Sequence, residues 1–112
     1  MTRGEIWWVD FGLAFGSMTI GRRQALIVQN DNFNASKIAT TVVLPLTTNT
    51  LLAEHKDNVL LPKSITKLPC DSVALIPQIG AVDKECLVEK VTKLSPSQML
   101  DVSHALSDFL AL

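Results

Sequence analysis

Two arginines and two threonines hold this chain's best prospect of chemistry. Arg22 and Arg23 close a glycine-bracketed loop just before the apolar run Ala25-Leu26-Ile27-Val28, and Thr47 and Thr48 follow the apolar run from Thr41 to Leu46. A guanidinium is a rigid fork of donors that matches the oxygens of a phosphate. A threonine hydroxyl can orient or share a proton, and backbone amides in a glycine-containing loop add further donors. Together they could grip a phosphodiester. On residue type alone, two adjacent arginines are more often a solvated surface pair.

Other kinds of chemistry lack their usual residues. The two histidines, His55 and His104, are not at metal-ligand spacing, and neither a phosphate-binding Gly-x-x-x-x-Gly-Lys-Ser/Thr loop nor a Gly-x-Ser-x-Gly elbow occurs. Two cysteines, Cys70 and Cys86, cannot make a cysteine-only zinc site, so free, partly buried thiols are expected, with no metal and no cofactor. The formal net charge is -1, so any field that attracts an anion must be local. No apolar run approaches the roughly 20 residues needed to cross a bilayer. The opening MTRGEIWWVDFG does not read as a secretory signal, and a cytoplasmic location is expected. At 112 residues the chain is expected to be one domain, 1–112.

The elements that would position the arginines and threonines are mainly strands. Glu5 to Phe11 is rich in β-formers and predicts a first strand, with Trp7 and Trp8 on opposite faces. One indole should pack in the core; the other could be exposed as a contact or a base-stacking platform. The long glycine-containing loop from Gly12 to Arg22 leads into a strand at Ala25–Val28, and Gln29 to Asn32 predicts a turn. Thr41 to Leu46 predicts a strand in which Pro45 calls for a bulge or an edge. Asn58–Leu61, Ser72–Ile79 and Val88–Leu94 predict further strands, with Pro62–Pro69 irregular and one helical turn capped by Asp83. Ser95, Pro96 and Gln98 then form a helix start with a capping box, and Met99, Val102, Leu106, Phe109 and Leu110 make one apolar stripe. The fold expected is mainly β: a small, strongly bent antiparallel barrel with a C-terminal helix.

Taken in order, RGEIWWVDF, GS…GRR, ALIVQND, TVVLPLT, DSVAL, QIG.VDK and EKVTKLS give the chain more than composition. It resembles the MazF/PemK (Kid-like) toxins of type II toxin–antitoxin systems over nearly its whole length. The resemblance implies an SH3-like β-barrel, a homodimer, and a metal-independent endoribonuclease that cuts single-stranded RNA at short sequences to 2′,3′-cyclic phosphate and 5′-OH ends. It implies Arg23 and Thr47 as the catalytic pair, with Ser17 helping to hold the scissile phosphate. Arg22, Thr48 and Gln78 are the further RNA-binding candidates. The implied partner is a cognate MazE-like antitoxin with an acidic, extended C-terminal segment. Two alternatives stand beside it: a CcdB-like toxin that poisons gyrase, and an interaction module without catalysis. The ending Leu110-Ala111-Leu112 lacks the Gly-Trp-Ile associated with gyrase poisoning. Against the family pattern, Met18-Thr19-Ile20 stand where Glu-Gln-Gly is usual, Gln24 replaces proline, and Pro77 and Gly80 replace Glu and Arg. Those positions tend to read or clamp RNA, so an altered target sequence is implied.

Overall fold

The computed structural model describes residues 1–12 and 21–112. Along the chain run β1 (Glu5–Asp10), β2 (Arg22–Ile27), α1 (Asp31–Asn34), β3 (Thr40–Thr47), a 3₁₀ turn at Thr50–Glu54, β4 (Val59–Leu61) and α2 (Lys63–Thr66). After them come β5 (Ser72–Ala74), a 3₁₀ turn at Ile76–Gln78, β6 (Gly80–Asp83), a 3₁₀ turn at Lys84–Cys86, β7 (Leu87–Lys93) and α3 (Pro96–Leu110). The strands form an antiparallel sheet ordered β4-β5-β3-β2-β1-β7, with β6 also paired to β3. The expected barrel is open, since among the described residues no ladder joins β4 to β7.

Strand alternation divides the apolar residues into two layers, because successive side chains point to opposite faces. Ile6, Leu26, Leu44 and Leu46 lie on one face and pack with Leu61, Leu68, Ile76 and the α3 residues Met99 and Val102. Val9, Ala25, Ile27 and Val43 pack on the other, with Trp7 against them. The tryptophans divide as expected: Trp7 is half-buried in this second layer, and Trp8 is 38% exposed.

β3 carries the topology. On one side it pairs with β2; on the other it pairs first with β6 through Thr40–Val43 and then with β5 through Leu46 and Thr47. Pro45 falls at the handover. Its carbonyl accepts from Leu75 N–H at 3.0 Å, so its nitrogen faces the same side, where neither partner pairs with it. The bulge or edge expected for this proline is therefore replaced by a change of partner inside an interior strand.

Other expectations shift for local reasons. The run Ser72–Ile79 is not one strand, because Pro77 sits in a 3₁₀ turn that separates β5 from β6. Part of the irregular stretch Pro62–Pro69 closes into the single-turn α2. α3 begins as expected, with Ser95 and Gln98 in a reciprocal capping box. Its stripe is buried only at the start. Met99 and Val102 pack under the sheet, whereas Phe109 and Leu110 are 42% and 43% exposed.

Candidate active site

β2 and β3 bring the arginines and threonines together. Their register runs Ile27↔Val43, Leu26↔Leu44, Ala25↔Pro45. Beyond the last pair, Gln24 and Arg23 lie one and two residues along β2, and Leu46 and Thr47 one and two residues along β3. Arg23 and Thr47 thus fall on the same face at the ends of adjacent strands. On the far side of β3, the pairing Thr47↔Val73 brings Ser72 alongside.

The strand ends open on a cavity of about 340 Å³. Arg22, Arg23, Thr47 and Thr48 all line it. The arginines and Thr48 are exposed and Thr47 is half-buried, which makes them the rim. Leu46 and Leu68, each 5% exposed, make an apolar floor. Trp8 and Gln24 flank it on one side, with Pro69, Cys70 and Ser72 completing the lining. The rim thus presents two exposed guanidiniums beside apolar leucines, donors whose fork matches the oxygens of a phosphate.

Local hydrogen bonds fix the parts. Thr47 Oγ1 accepts from Asn49 N–H at 3.2 Å, which orients the oxygen and leaves its own O–H free to donate outward. The neck of the preceding loop is tied by Gly21 N–H to the Gly12 carbonyl at 2.8 Å and by Phe11 N–H to the Gly21 carbonyl at 2.9 Å. Both glycines have positive φ, 71° and 66°, which a side chain would strain. Asp10, across the ladder from Arg22, uses its carboxylate to accept from Gly12 N–H at 2.9 Å. Beneath the neighbouring strand, burial pushes the Glu5 carboxyl up, but Trp7 Nε1–H, Thr2 N–H and the Lys90 ammonium outweigh it and hold it at about 2.

The remaining expected residues lie elsewhere. Ser17, with Met18, Thr19 and Ile20, lies outside the described residues. Gln78 is exposed on the 3₁₀ turn at Ile76–Gln78 and is not among the residues lining the cavity. That turn leads into β6, which pairs with the opposite end of β3 from Thr47. Neither histidine lines the cavity, and among the described residues no three of His, Cys, Asp or Glu gather as metal ligands. Cys86 is half-buried and Cys70 is exposed, so the expectation of partial burial holds for Cys86 alone. Sequence reasoning missed the Leu68-Pro69-Cys70 wall, which only the long-range pairing of β5 with β3 brings near. Among the described residues no helix is long and apolar enough to cross a membrane.

Known proteins share this architecture and sequence. Residues 2–110 match the family model for the PemK-like, MazF-like toxin of type II toxin–antitoxin systems. Endoribonuclease MazF6 of Mycobacterium tuberculosis is 38% identical over 112 residues, covering 100% of this chain and 98% of that protein. Among solved structures, MazF (Form-I) from Deinococcus radiodurans has a TM-score of 0.83 at 19% identity, covering 100% of this chain and 97% of that one. An endoribonuclease from a mycobacterial species, solved in complex with its cognate antitoxin, has a TM-score of 0.77 at 24% identity, covering 100% and 94%. The chain belongs to the PemK/MazF-like toxins of type II toxin–antitoxin systems.

Proposed function

We propose that the chain, as one toxin domain over residues 1–112, is a sequence-selective endoribonuclease that cuts single-stranded RNA through the substrate's own 2′-OH. The observation that carries the proposal is the rim of the cavity, which Arg23 and Thr47 line together with Arg22 and Thr48. The 2′-OH gives its proton to water as its oxygen attacks the adjacent phosphorus, the bond from phosphorus to the 5′-oxygen breaks, and the departing oxygen takes up a proton from water. The products are a 2′,3′-cyclic phosphate and a 5′-OH. Arg23 stabilises the charge that develops on the phosphorane oxygens. With a pKa above about 12 a guanidinium is a poor base, so its part is electrostatic rather than proton-abstracting. Thr47, its oxygen fixed by Asn49 N–H, donates its O–H to the same group. Arg22 and Thr48, on the same rim, hold the strand beside the cut, while Ser17 as a phosphate contact and Gln78 as an RNA contact away from the cavity rest on the resemblance alone. No step requires a metal.

The partner that silences such a site is a cognate antitoxin whose acidic, extended C-terminal segment lies over the cationic rim. The toxin works in the cytoplasm as a homodimer, and its targets are messenger RNAs whose loss halts translation and growth. The test is cleavage of a long RNA by purified protein in EDTA. Discrete fragments carrying cyclic-phosphate ends, abolished in Arg23→Ala, support the reading. The same background from wild type and Arg23→Ala sinks it.

A further inference from the structure

Beside the phosphate-gripping rim, the cavity carries a second set of groups that the cleavage chemistry does not use. The β1–β2 ladder pairs Trp8 with Gln24, and the last β2–β3 pair, Ala25↔Pro45, places Gln24 and Leu46 each one residue beyond it on their strands. Three side chains from three adjacent strands thus lie in a row on one face, and all three line the cavity. Each contributes something different. Trp8 keeps 38% of its surface exposed, although a large indole at a strand centre would ordinarily be covered. Gln24 is half-buried, and among the described residues no hydrogen bond engages its side-chain amide. An amide left open beside an aromatic face offers two donors and an acceptor to whatever enters. Leu46 and Leu68 beneath them are almost fully buried, so a flat apolar group arriving there displaces water from both sides.

We infer that Trp8 and Gln24 form the seat for one RNA base next to the scissile phosphate, with the base stacked on the Trp8 indole and its edge read by the Gln24 amide. This rests on the endoribonuclease reading and adds to it the group that chooses the base. Unstacked bases of single strands are recognised in this way, by an aromatic face for the plane and an amide for the edge. The cavity volume of about 340 Å³ lies at the small end of ligand pockets, suited to one nucleotide rather than a run of them. Arg22 and Arg23 precede Gln24 directly, and the base is therefore that of a nucleotide flanking the cut.

Two variants separate the roles. A randomised RNA pool is cut with wild type, Gln24→Glu and Gln24→Leu, and the new 5′-OH ends are sequenced. The base preference is expected to change at one position flanking the cut and to hold elsewhere. Steady-state kinetics on a defined substrate are expected to give Trp8→Ala a KM raised about tenfold or more, exceeding its loss in kcat, with Trp8→Phe recovering most of the difference. Thermal melts confirm that each variant is folded. A wild-type preference at every position in both Gln24 variants, or a wild-type KM in Trp8→Ala, overturns the inference while leaving Arg23-dependent cleavage intact. If cleavage does not depend on Arg23, the endoribonuclease reading fails and binding decides the seat. Fluorescence anisotropy of a labelled RNA 12-mer is then compared for Arg23→Ala and for Arg23→Ala with Trp8→Ala. A loss of about tenfold in affinity supports the seat, and equal affinity overturns it.

Discussion

Glu5 should make the stability of this toxin depend steeply on acid. Its side chain is 10% exposed, and Oε1 accepts from Thr2 N–H and Trp7 Nε1–H, each at 3.0 Å. The Lys90 ammonium lies 3.2 Å from Oε2, but half of that side chain is exposed, so the ion pair adds less than the two hydrogen bonds. Burial works against the charged form, yet these donors hold the pKa at about 2 against an ordinary 4.5. At about 1.4 kcal/mol for each tenfold change in proton affinity, the difference is worth about 3 kcal/mol. The sign follows from the lowered value. The folded state favours the charged form, so the contribution is complete above pH 4.5 and is lost as the pH falls towards 2. Asp31, lowered by the Asn34 amide and by Arg3 N–H, adds in the same direction. Urea titrations at intervals from pH 7 to pH 2 would measure the effect in wild type and Glu5→Gln. Wild type should lose about 3 kcal/mol more than the variant across the acidic half of that range. Parallel losses in the two proteins would show that Glu5 is not the source of the acid sensitivity.

Three further outcomes are expected. Asn34→Ala should cost about 1–3 kcal/mol in urea unfolding, because Asn34 Oδ1 is the acceptor for the fully buried Thr41 hydroxyl at 2.9 Å. Adding Thr41→Val should recover part of that loss, and a strictly additive double mutant would show that the hydroxyl is satisfied elsewhere. Arg23→Lys should lower kcat about a hundredfold or more, since an ammonium cannot make the forked contact, and near-normal cleavage would remove the fork from the account. With two arginines on the rim, the logarithm of RNA affinity should fall with the logarithm of salt with a slope of only about -1.4, measured by anisotropy. A slope several times steeper would reveal phosphate contacts well beyond this rim.

The parts of this fold that could be read directly are those whose signals are local. The Ser95–Gln98 capping box specifies its helix start within four residues, and the opposed tryptophans follow from strand alternation alone. Ser72–Ile79 misled because its alternation continues through a turn. Pro77, with fixed φ and no N–H, suits the 3₁₀ geometry, and the chain uses the break to pair β3 twice. The open barrel and the burial of only half the α3 stripe depend on how the sheet curls, which no window of sequence reports. The site was similarly divided. Residue types and the flanking apolar runs offered both arginines and both threonines, and only the resemblance singled out Arg23 and Thr47. The floor and far wall could not be named, since Leu68, Pro69 and Ser72 reach the arginines only through the β3–β5 pairing. Trp8 was recognisable as one of two tryptophans with a surface to offer, and Gln24 as a departure from a pattern. That the two are ladder partners needed the register.

We propose that this rim cuts RNA by turning the substrate's own 2′-OH on the neighbouring phosphate. A short RNA that wild type cleaves once is resynthesised with a single 2′-deoxynucleotide on the 5′ side of the cut, and both versions are followed by mass spectrometry in EDTA. The RNA should yield a 2′,3′-cyclic phosphate with wild type and none with Arg23→Ala, and the deoxy-substituted strand should bind and stay intact. Cleavage of the deoxy-substituted strand at the same bond would contradict it.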